Sequence, residues 1–292
     1  MATLVYHAGA LGDFITALPA MAVWRRLHPW ERTILLGRRE FAPLALPQFD
    51  EVWNVDDARW AGLFTASPGA GPPPGVLPAS IFSALLFAFL KSPLADNLRS
   101  WGVAEILRQD PFPGSPQPIV DYHLSLFPAS ALLSEDSLPR IGVSRGEIRP
   151  DDLGVAALHP GSGSGTKNWP MERFVALGLH LARSGLRVVW ILGPAESGAA
   201  LPEDARTWES LPLDRLAARL ERSVIYVGND SGVSHLAAAT GCPTVALFGE
   251  SDARVWAPRG RSVRVIVSSG EGMHGISLER CCEACRWFVK LA

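Results

Sequence analysis

The second half of the chain alternates between short β-prone runs and longer stretches whose apolar residues recur at helical spacing. This alternation predicts a parallel sheet with right-handed crossover connections. Ligands bind to such sheets outside the carboxyl ends of the strands, so the polar loops that follow the strands are expected to lie together. The predicted strands are 155–159, 187–192, 224–227 and 244–248, and the predicted helices are 171–184, 213–221 and 233–240.

The first half begins in the same way, with a β-prone run, a glycine turn and a helical pattern. The polar segment 144–152, which contains Pro150, predicts a domain boundary. We therefore expect an α/β protein with two domains, residues 1–150 and 151–292. The predicted elements of the first half are strands at 3–7, 33–36 and 52–55, and helices at 14–27, 79–91 and 123–133.

Composition narrows the class of protein further. The formal net charge is -2, so no overall basic excess points to nucleic acid. The longest apolar run, 81–90, is far below the ~20 residues that span a bilayer, and the N-terminus does not have the pattern of a signal peptide. We expect a cytoplasmic protein. The arginines Arg25, Arg26, Arg38 and Arg39 form either a solvated face or a contact with an anionic lipid-linked molecule or a membrane surface.

Three of the 4 cysteines lie close together near the C-terminus, at Cys281, Cys282 and Cys285. Without a second cluster they make a poor tetrahedral metal site, so free thiols are favoured and no metal is expected.

The segment 159–170 follows a predicted strand and is rich in glycine, serine and threonine. Glycines let the backbone approach an anion, Ser162 and Thr166 add hydroxyl donors, and Lys167 adds a cation. The segment lacks the Gly-Lys-Ser/Thr ending of a P-loop. It is either a phosphate-binding loop or a flexible surface loop with a solvated lysine.

A second motif, 228–235, lies at a predicted strand-to-helix junction. A helix N-terminus offers unpaired amides and positive partial charge, which suit a phosphate. Asp230 or Ser231 could equally be an ordinary N-cap, followed by Gly232. His235 lies one helical turn further on, where it either faces the same pocket or packs structurally.

A third motif, Gly9-Ala10-Leu11-Gly12-Asp13, opens the first predicted helix. Its two glycines, Gly9 and Gly12, are weak evidence for dinucleotide binding because the third glycine is missing. Asp13 is either a helix cap or a general base.

Taken together, these motifs resemble glycosyltransferase family 9, the ADP-heptose:lipopolysaccharide heptosyltransferase family. The resemblance covers the first ~30 residues and most of 151–260, and it is most specific across 228–249. The segments that carry it are 9–13 with Pro19-Ala20, His159-Pro160-Gly161 with 167–174, 193–196, 228–239, 241–249 and Trp256-Ala257-Pro258.

The resemblance implies a GT-B fold, in which two Rossmann-like domains face each other across a cleft, and an inverting, metal-independent transfer. It implies no cofactor, since the nucleotide-diphosphate sugar, ADP-heptose, is a substrate. The expected partners are this donor and a glycan or glycolipid acceptor of the lipopolysaccharide type, with a peripheral contact on the cytoplasmic face of the inner membrane left open. By this analogy Asp13 is the general base beside the cleft loop of Gly9 and Gly12. The donor is held by Ser162, Thr166, Lys167, Glu196, Asp230, Ser231, Gly232 and His235.

Two alternatives remain open at this stage. One is a non-catalytic relative that binds nucleotide or glycan, and the other is another GT-B enzyme, such as a nucleotide-sugar epimerase. A nicotinamide dehydrogenase is disfavoured, because the sequence lacks the Gly-x-Gly-x-x-Gly fingerprint and the acidic ribose ligand that follows it.

Overall fold

The computed structural model describes residues 1–45, 48–65, 80–142, 153–193, 201–270 and 272–289 of the 292-residue chain. The chain forms two compact units, Met1–Ser137 and Leu138–Ala292. The segment predicted as the domain boundary, 144–152, lies outside the described residues.

The first unit contains a parallel five-stranded sheet. Its strand order is β3-β2-β1-β4-β5, so the first strand lies at the centre. Leu4 and Val5 of this strand are fully buried because other strands and helices cover them on all sides. The strands are β1 (Ala2–His7), β2 (Arg32–Gly37), β3 (Glu51–Asn54), β4 (Ile81–Phe87) and β5 (Glu105–Gln109).

The helices of this unit are α1 (Leu11–Leu27), α2 (Ala42–Ala45), α3 (Leu94–Ser100) and α4 (Ile119–Leu124). Two sequence predictions are wrong here. The predicted helix 79–91 is strand β4, because a strand buried on both faces is apolar throughout and lacks the alternation that would identify it. The predicted helix 123–133 begins earlier, at Ile119, and ends at Leu124. Pro128 follows, and the residue before a proline is disfavoured in helical conformation.

The second unit contains a parallel six-stranded sheet of order β11-β10-β9-β6-β7-β8. Counted within the unit, this is the 3-2-1-4-5-6 order of doubly wound nucleotide-binding domains. All four strands predicted here are confirmed, and the structure adds two edge strands: the short 206–209, in which three of four residues are polar and exposed, and the mostly apolar 263–267, which the sequence analysis did not identify. The strands are β6 (Val155–His159), β7 (Arg187–Leu192), β8 (Arg206–Glu209), β9 (Ile225–Asn229), β10 (Thr244–Phe248) and β11 (Val263–Val267).

The helices of the second unit are α5 (Met171–Arg183), α6 (Leu213–Leu220), α7 (Gly232–Thr240), α8 (Ala253–Trp256) and α9 (Leu278–Val289). The three predicted helices correspond to α5, α6 and α7. Helix α7 ends at Gly241, whose φ of 88° is the left-handed conformation of a glycine C-cap. None of the helices in the described part of the chain combines the length and hydropathy that a membrane crossing needs.

The strand order reverses between β6 and β9, which are parallel neighbours. His159 at the end of β6 lies opposite Gly228 of β9. At such a switch point the following loops leave toward opposite faces of the sheet and open a crevice between them. The two polar motifs of the second half begin at this point.

Candidate functional site

The loops that follow β6 and β9 meet at the switch point of the second sheet. The Nζ atom of Lys167 lies 2.6 Å from Oδ2 of Asp230. The lysine side chain is 39% exposed, whereas that of the aspartate is only 10% exposed. The structure therefore brings Lys167 and Asp230 together, as expected for loops that follow strands of one parallel sheet, and leaves part of the lysine side chain accessible to solvent.

Ser231 is the N-cap of helix α7. Its side chain accepts a hydrogen bond from the backbone N–H of Ser234, at 3.4 Å. The first amides of a helix, beginning here with Gly232, have no acceptor within the helix and carry positive partial charge. Of the two predicted caps, the structure therefore selects Ser231, while Asp230 pairs with Lys167.

His235 is buried in the first turns of α7. Burial lowers the pKa of its imidazole to about 4, while the nearby Asp230 raises this pKa and Lys167 lowers it. The ring is thus neutral near pH 7 and lies within electrostatic reach of the ion pair. As a neutral group it can donate one hydrogen bond without adding charge to the site.

The loop between β6 and α5 is fixed to the sheet by Asn229, a residue that the sequence reasoning did not single out. Asn229 is fully buried and donates from Nδ2 to the carbonyl of Pro160, at 2.7 Å. Its Oδ1 accepts from the backbone N–H of Trp169, at 3.0 Å. One side chain therefore holds both ends of the loop. The sequence feature that could have identified Asn229 is its position as a single amide side chain at the end of an apolar strand.

The serine and threonine hydroxyls of this loop bind largely to the loop itself. Ser162 Oγ lies 2.6 Å from Oδ1 of Asn168 and 2.7 Å from the carbonyl of Ser164, and it donates its proton to one of these at a time. Thr166 Oγ1 lies 3.1 Å from Oγ of Ser164. Ser162 thus shapes the loop, and Thr166 lies beside Lys167 on its exposed side.

Two of the three glycines of the loop, Gly163 and Gly165, leave room around them. A Cβ atom added at Gly163 or Gly165 would meet no atom within 4 Å. The loop is therefore uncrowded at these two positions, which precede Lys167 in the chain, as a site for a multi-oxygen anion requires.

A buried polar network lies under the N-terminus of α7. The hydroxyl of Tyr226 is 3.0 Å from Oγ of Ser234, which in turn donates to the carbonyl of Asn229 at 2.5 Å. Nδ1 of His159 lies 3.3 Å from Oγ of Ser231 and 3.4 Å from the Tyr226 hydroxyl. Burial lowers the pKa of His159 to about 4, so this ring is also neutral near pH 7.

The third motif lies in the first unit, at the start of α1. Oδ2 of Asp13 accepts a hydrogen bond from the backbone N–H of Ala10, at 3.1 Å; the N-cap position itself is Ala10, so Asp13 caps the helix from within its first turn and not as the predicted N-cap residue. A Cβ atom added at Gly9 would lie 3.1 Å from this same oxygen and 3.0 Å from Cε1 of His7. Glycine at position 9 therefore allows the turn to pack against both side chains, and Gly12 lies within the first turn of the helix.

Glu196, the predicted nucleoside ligand, lies outside the described residues, so the structure places no part of it. Within the described ranges, no group of three or more His, Cys, Asp or Glu side chains is arranged to hold a metal ion. All four cysteines are buried free thiols, and burial raises the pKa of the Cys281 thiol to about 12.

A doubly wound sheet with a lysine and a helix N-terminus at its switch point has the architecture found in nucleotide-binding α/β domains. The sequence profile of glycosyltransferase family 9 (heptosyltransferase) matches residues 76–285. This match covers more than half of the 292-residue chain, so the chain belongs to glycosyltransferase family 9.

Two curated lipopolysaccharide heptosyltransferases are similar to this chain in sequence. Lipopolysaccharide heptosyltransferase 2 of Salmonella typhimurium is 31% identical over 225 residues, which are 65% of this chain and 63% of that protein. Lipopolysaccharide heptosyltransferase 3 of Escherichia coli is 31% identical over 122 residues, which are 37% of this chain and 36% of that protein. The chain thus matches less than two thirds of the length of either relative.

The structure of ADP-heptose lps heptosyltransferase II from E. coli is similar over 100% of this chain and 99% of that one, with a TM-score of 0.79 at 19% identity. At this identity the likeness concerns the fold. It agrees with the two parallel-sheet α/β units expected of the GT-B class.

Proposed function

We propose that this chain transfers a heptose, or a related sugar, from an ADP-linked donor to a glycan of the lipopolysaccharide core or of another cell-surface polymer. The observation that carries the proposal is the partly exposed Lys167 side chain beside the N-terminus of α7, in a chain of glycosyltransferase family 9. The names of the matched relatives supply the donor and the acceptor class.

In this proposal the donor diphosphate lies above the loop of Gly163 and Gly165. Lys167 and the first amides of α7 contact its oxygens, and the Ser231 hydroxyl donates to one of them. When the bond to the sugar breaks, negative charge accumulates on the departing diphosphate, and these groups stabilise it without a metal ion or a cofactor. Thr166, Gly232 and His235 complete the pocket, with Ser162 holding the loop in shape.

The nucleoside and the acceptor are assigned to further residues. Glu196 would bind the ribose. Asp13 would accept the proton of the acceptor hydroxyl. The oxygen of that hydroxyl attacks the anomeric carbon of the sugar, and the nucleotide diphosphate leaves. A single displacement of this kind inverts the configuration at that carbon.

A lipid-linked acceptor would place the reaction on the cytoplasmic face of the inner membrane. An exposed apolar cluster in the first unit supports a peripheral contact there: Phe89, Leu90 and Phe112 are 55%, 70% and 50% exposed, and Lys91 follows directly. The cluster lies at the carboxyl edge of the first sheet, just after β4 and β5. Co-sedimentation with anionic vesicles, lost on F89S/L90S, would test this contact, and equal sedimentation of both proteins would refute it.

The transfer itself is tested by incubating the protein with ADP-heptose and a lipopolysaccharide-core acceptor. We expect a product one heptose heavier, with inverted anomeric configuration, that also forms in the presence of EDTA. Loss of activity in EDTA with recovery on added metal would contradict metal independence, and retained configuration would contradict single displacement. A change in ADP-heptose without any acceptor would favour the epimerase, and ADP binding without transfer would favour a non-catalytic binder.

A further inference from the structure

The hydroxyl and imidazole groups beneath α7 form a network in which one atom, the carbonyl oxygen of Asn229, fixes the direction of the neighbouring hydrogen bonds. Ser234 Oγ lies 2.5 Å from the carbonyl oxygen of Asn229, which can only accept. The single hydroxyl proton of Ser234 is therefore committed to that carbonyl, and Ser234 Oγ acts as an acceptor toward its other neighbours.

This fixes the proton of Tyr226. Its hydroxyl lies 3.0 Å from Ser234 Oγ, and since the serine has no proton left, Tyr226 must donate in this contact. Burial raises the pKa of Tyr226 far above its usual range, so the hydroxyl keeps its one proton. Tyr226 consequently has no proton for His159 and can only accept from it.

His159 faces two hydroxyl oxygens with one ring nitrogen, because Nδ1 lies 3.3 Å from Ser231 Oγ and 3.4 Å from the Tyr226 hydroxyl. A neutral imidazole carries a single N–H, on either Nδ1 or Nε2. If Nδ1 lacked the proton, the Tyr226 contact would join two acceptors. If Nδ1 carries it, the single N–H is shared between the two oxygens, and no contact of the network joins two acceptors.

We infer that His159 is a positioning residue that carries its proton on Nδ1 and thereby keeps the hydroxyl proton of Ser231 available to the donor phosphate. Ser231 Oγ then accepts from His159 Nδ1 and from the backbone N–H of Ser234. With both lone pairs occupied, Ser231 can only donate: in the unliganded protein it donates to Ser234 Oγ, 3.4 Å away, and a phosphate oxygen at the helix N-terminus is the stronger acceptor that replaces this long contact. In the other tautomer Ser231 would donate to His159 and present lone pairs to a phosphate oxygen. The identity of the ligand rests on the proposed function, whereas the position of the proton does not.

The tautomer can be measured in the unliganded wild-type protein by nitrogen NMR on ¹⁵N-histidine-labelled samples, with the His159 signals assigned from their loss in His159→Asn. We expect the protonated-nitrogen signal at Nδ1 near pH 7. A protonated Nε2 would overturn the inference. Because this experiment needs no nucleotide, its result stands even if the protein binds no ADP, which would instead refute the proposed function.

The consequence for the ligand is measured by calorimetric titration with ADP in a double-mutant cycle of His159→Leu and Ser231→Ala. We expect His159→Leu to weaken ADP binding about tenfold when Ser231 is present and less than about twofold when it is absent. His159→Asn, whose amide N–H can replace the Nδ1–H, should recover most of the affinity. Equal losses in both backgrounds, or no recovery by asparagine, would make His159 a structural residue only.

Discussion

The ammonium of Lys167 is held in place by a carboxylate that is itself nearly buried. Because Asp230 is 10% exposed and lies directly before the N-cap of α7, it restricts where Nζ can reach. A lysine fixed in this way loses less side-chain entropy when an anion binds. In the proposed site, Asp230 therefore positions the cation and is not itself a contact of the phosphate.

Replacing this lysine tests the assignment. We expect Lys167→Met to weaken ADP binding by roughly tenfold to a hundredfold, since a charge-assisted hydrogen bond contributes about 1.5–3 kcal/mol. Calorimetric titration measures the change, with Lys91→Met, an exposed lysine of the first unit, as the control. Equal affinities for the two variants would place the nucleotide elsewhere.

Asp13 combines two roles that a careful substitution can separate. Its carboxylate caps the Ala10 amide, so Asp13→Ala removes both the cap and the proposed base. Asp13→Asn keeps an oxygen that can accept from Ala10 but has no basic carboxylate. We expect D13N to keep its ADP affinity and its melting temperature while losing transfer by at least about a hundredfold. Transfer at wild-type rate would leave Asp13 as a helix cap alone.

At the scale of elements, the strand–helix alternation of the second half could be predicted because helices α5 and α6 are amphipathic and the central strands are bounded by glycines and polar loops. The first half was harder. Strand β4 is apolar at nearly every position, and such a run looks the same whether it is a buried strand or a buried helix.

The candidate site could also be predicted only in part. Lys167 and the Ser231 cap stand out in the sequence, whereas Asn229 and His159 acquire their roles only through neighbours more than 60 residues away.

Close packing at the end of β9 gives a prediction at this scale. A Cβ atom at Gly228 would lie 2.1 Å from the Tyr226 hydroxyl, which belongs to the network under α7. We expect Gly228→Ala to lower the free energy of unfolding by about 1–3 kcal/mol and to weaken ADP binding, because the tyrosine must move. Urea unfolding measures the first effect. Gly163→Ala, where nothing lies within 4 Å of the added atom, is the control. Equal stability of the two variants would show that the tyrosine shifts at no cost.

For the whole molecule, buried histidines predict how stability depends on pH. Burial lowers the pKa of His7 to about 3 and those of His123, His159 and His235 to about 4, against 6.5 in an exposed chain. Below pH 6.5 the unfolded chain therefore binds more protons than the folded one, so stability is complete above pH 6.5 and falls as the pH drops. The expected loss between pH 6.5 and pH 5 is about 2 kcal/mol for each histidine.

Urea unfolding at pH 7, 6 and 5 measures this loss. His123→Gln should reduce the pH dependence by one histidine's share, and His180→Gln, at a partly exposed position of α5, serves as the control. A free energy of unfolding that stays constant from pH 7 to pH 5 would contradict the burial of these neutral rings.

The central proposal for the whole molecule is that the loops after β6 and β9 form a site for the diphosphate of an adenine nucleotide. Both the family assignment and the fold of the second unit support it. Calorimetric titration of the full chain with ADP, UDP, GDP and adenosine tests this claim most directly. We predict that ADP binds most tightly, that adenosine binds at least about tenfold more weakly, and that Lys167→Met removes most of this difference. Binding of UDP alone, or equal affinity for ADP and adenosine, would contradict it.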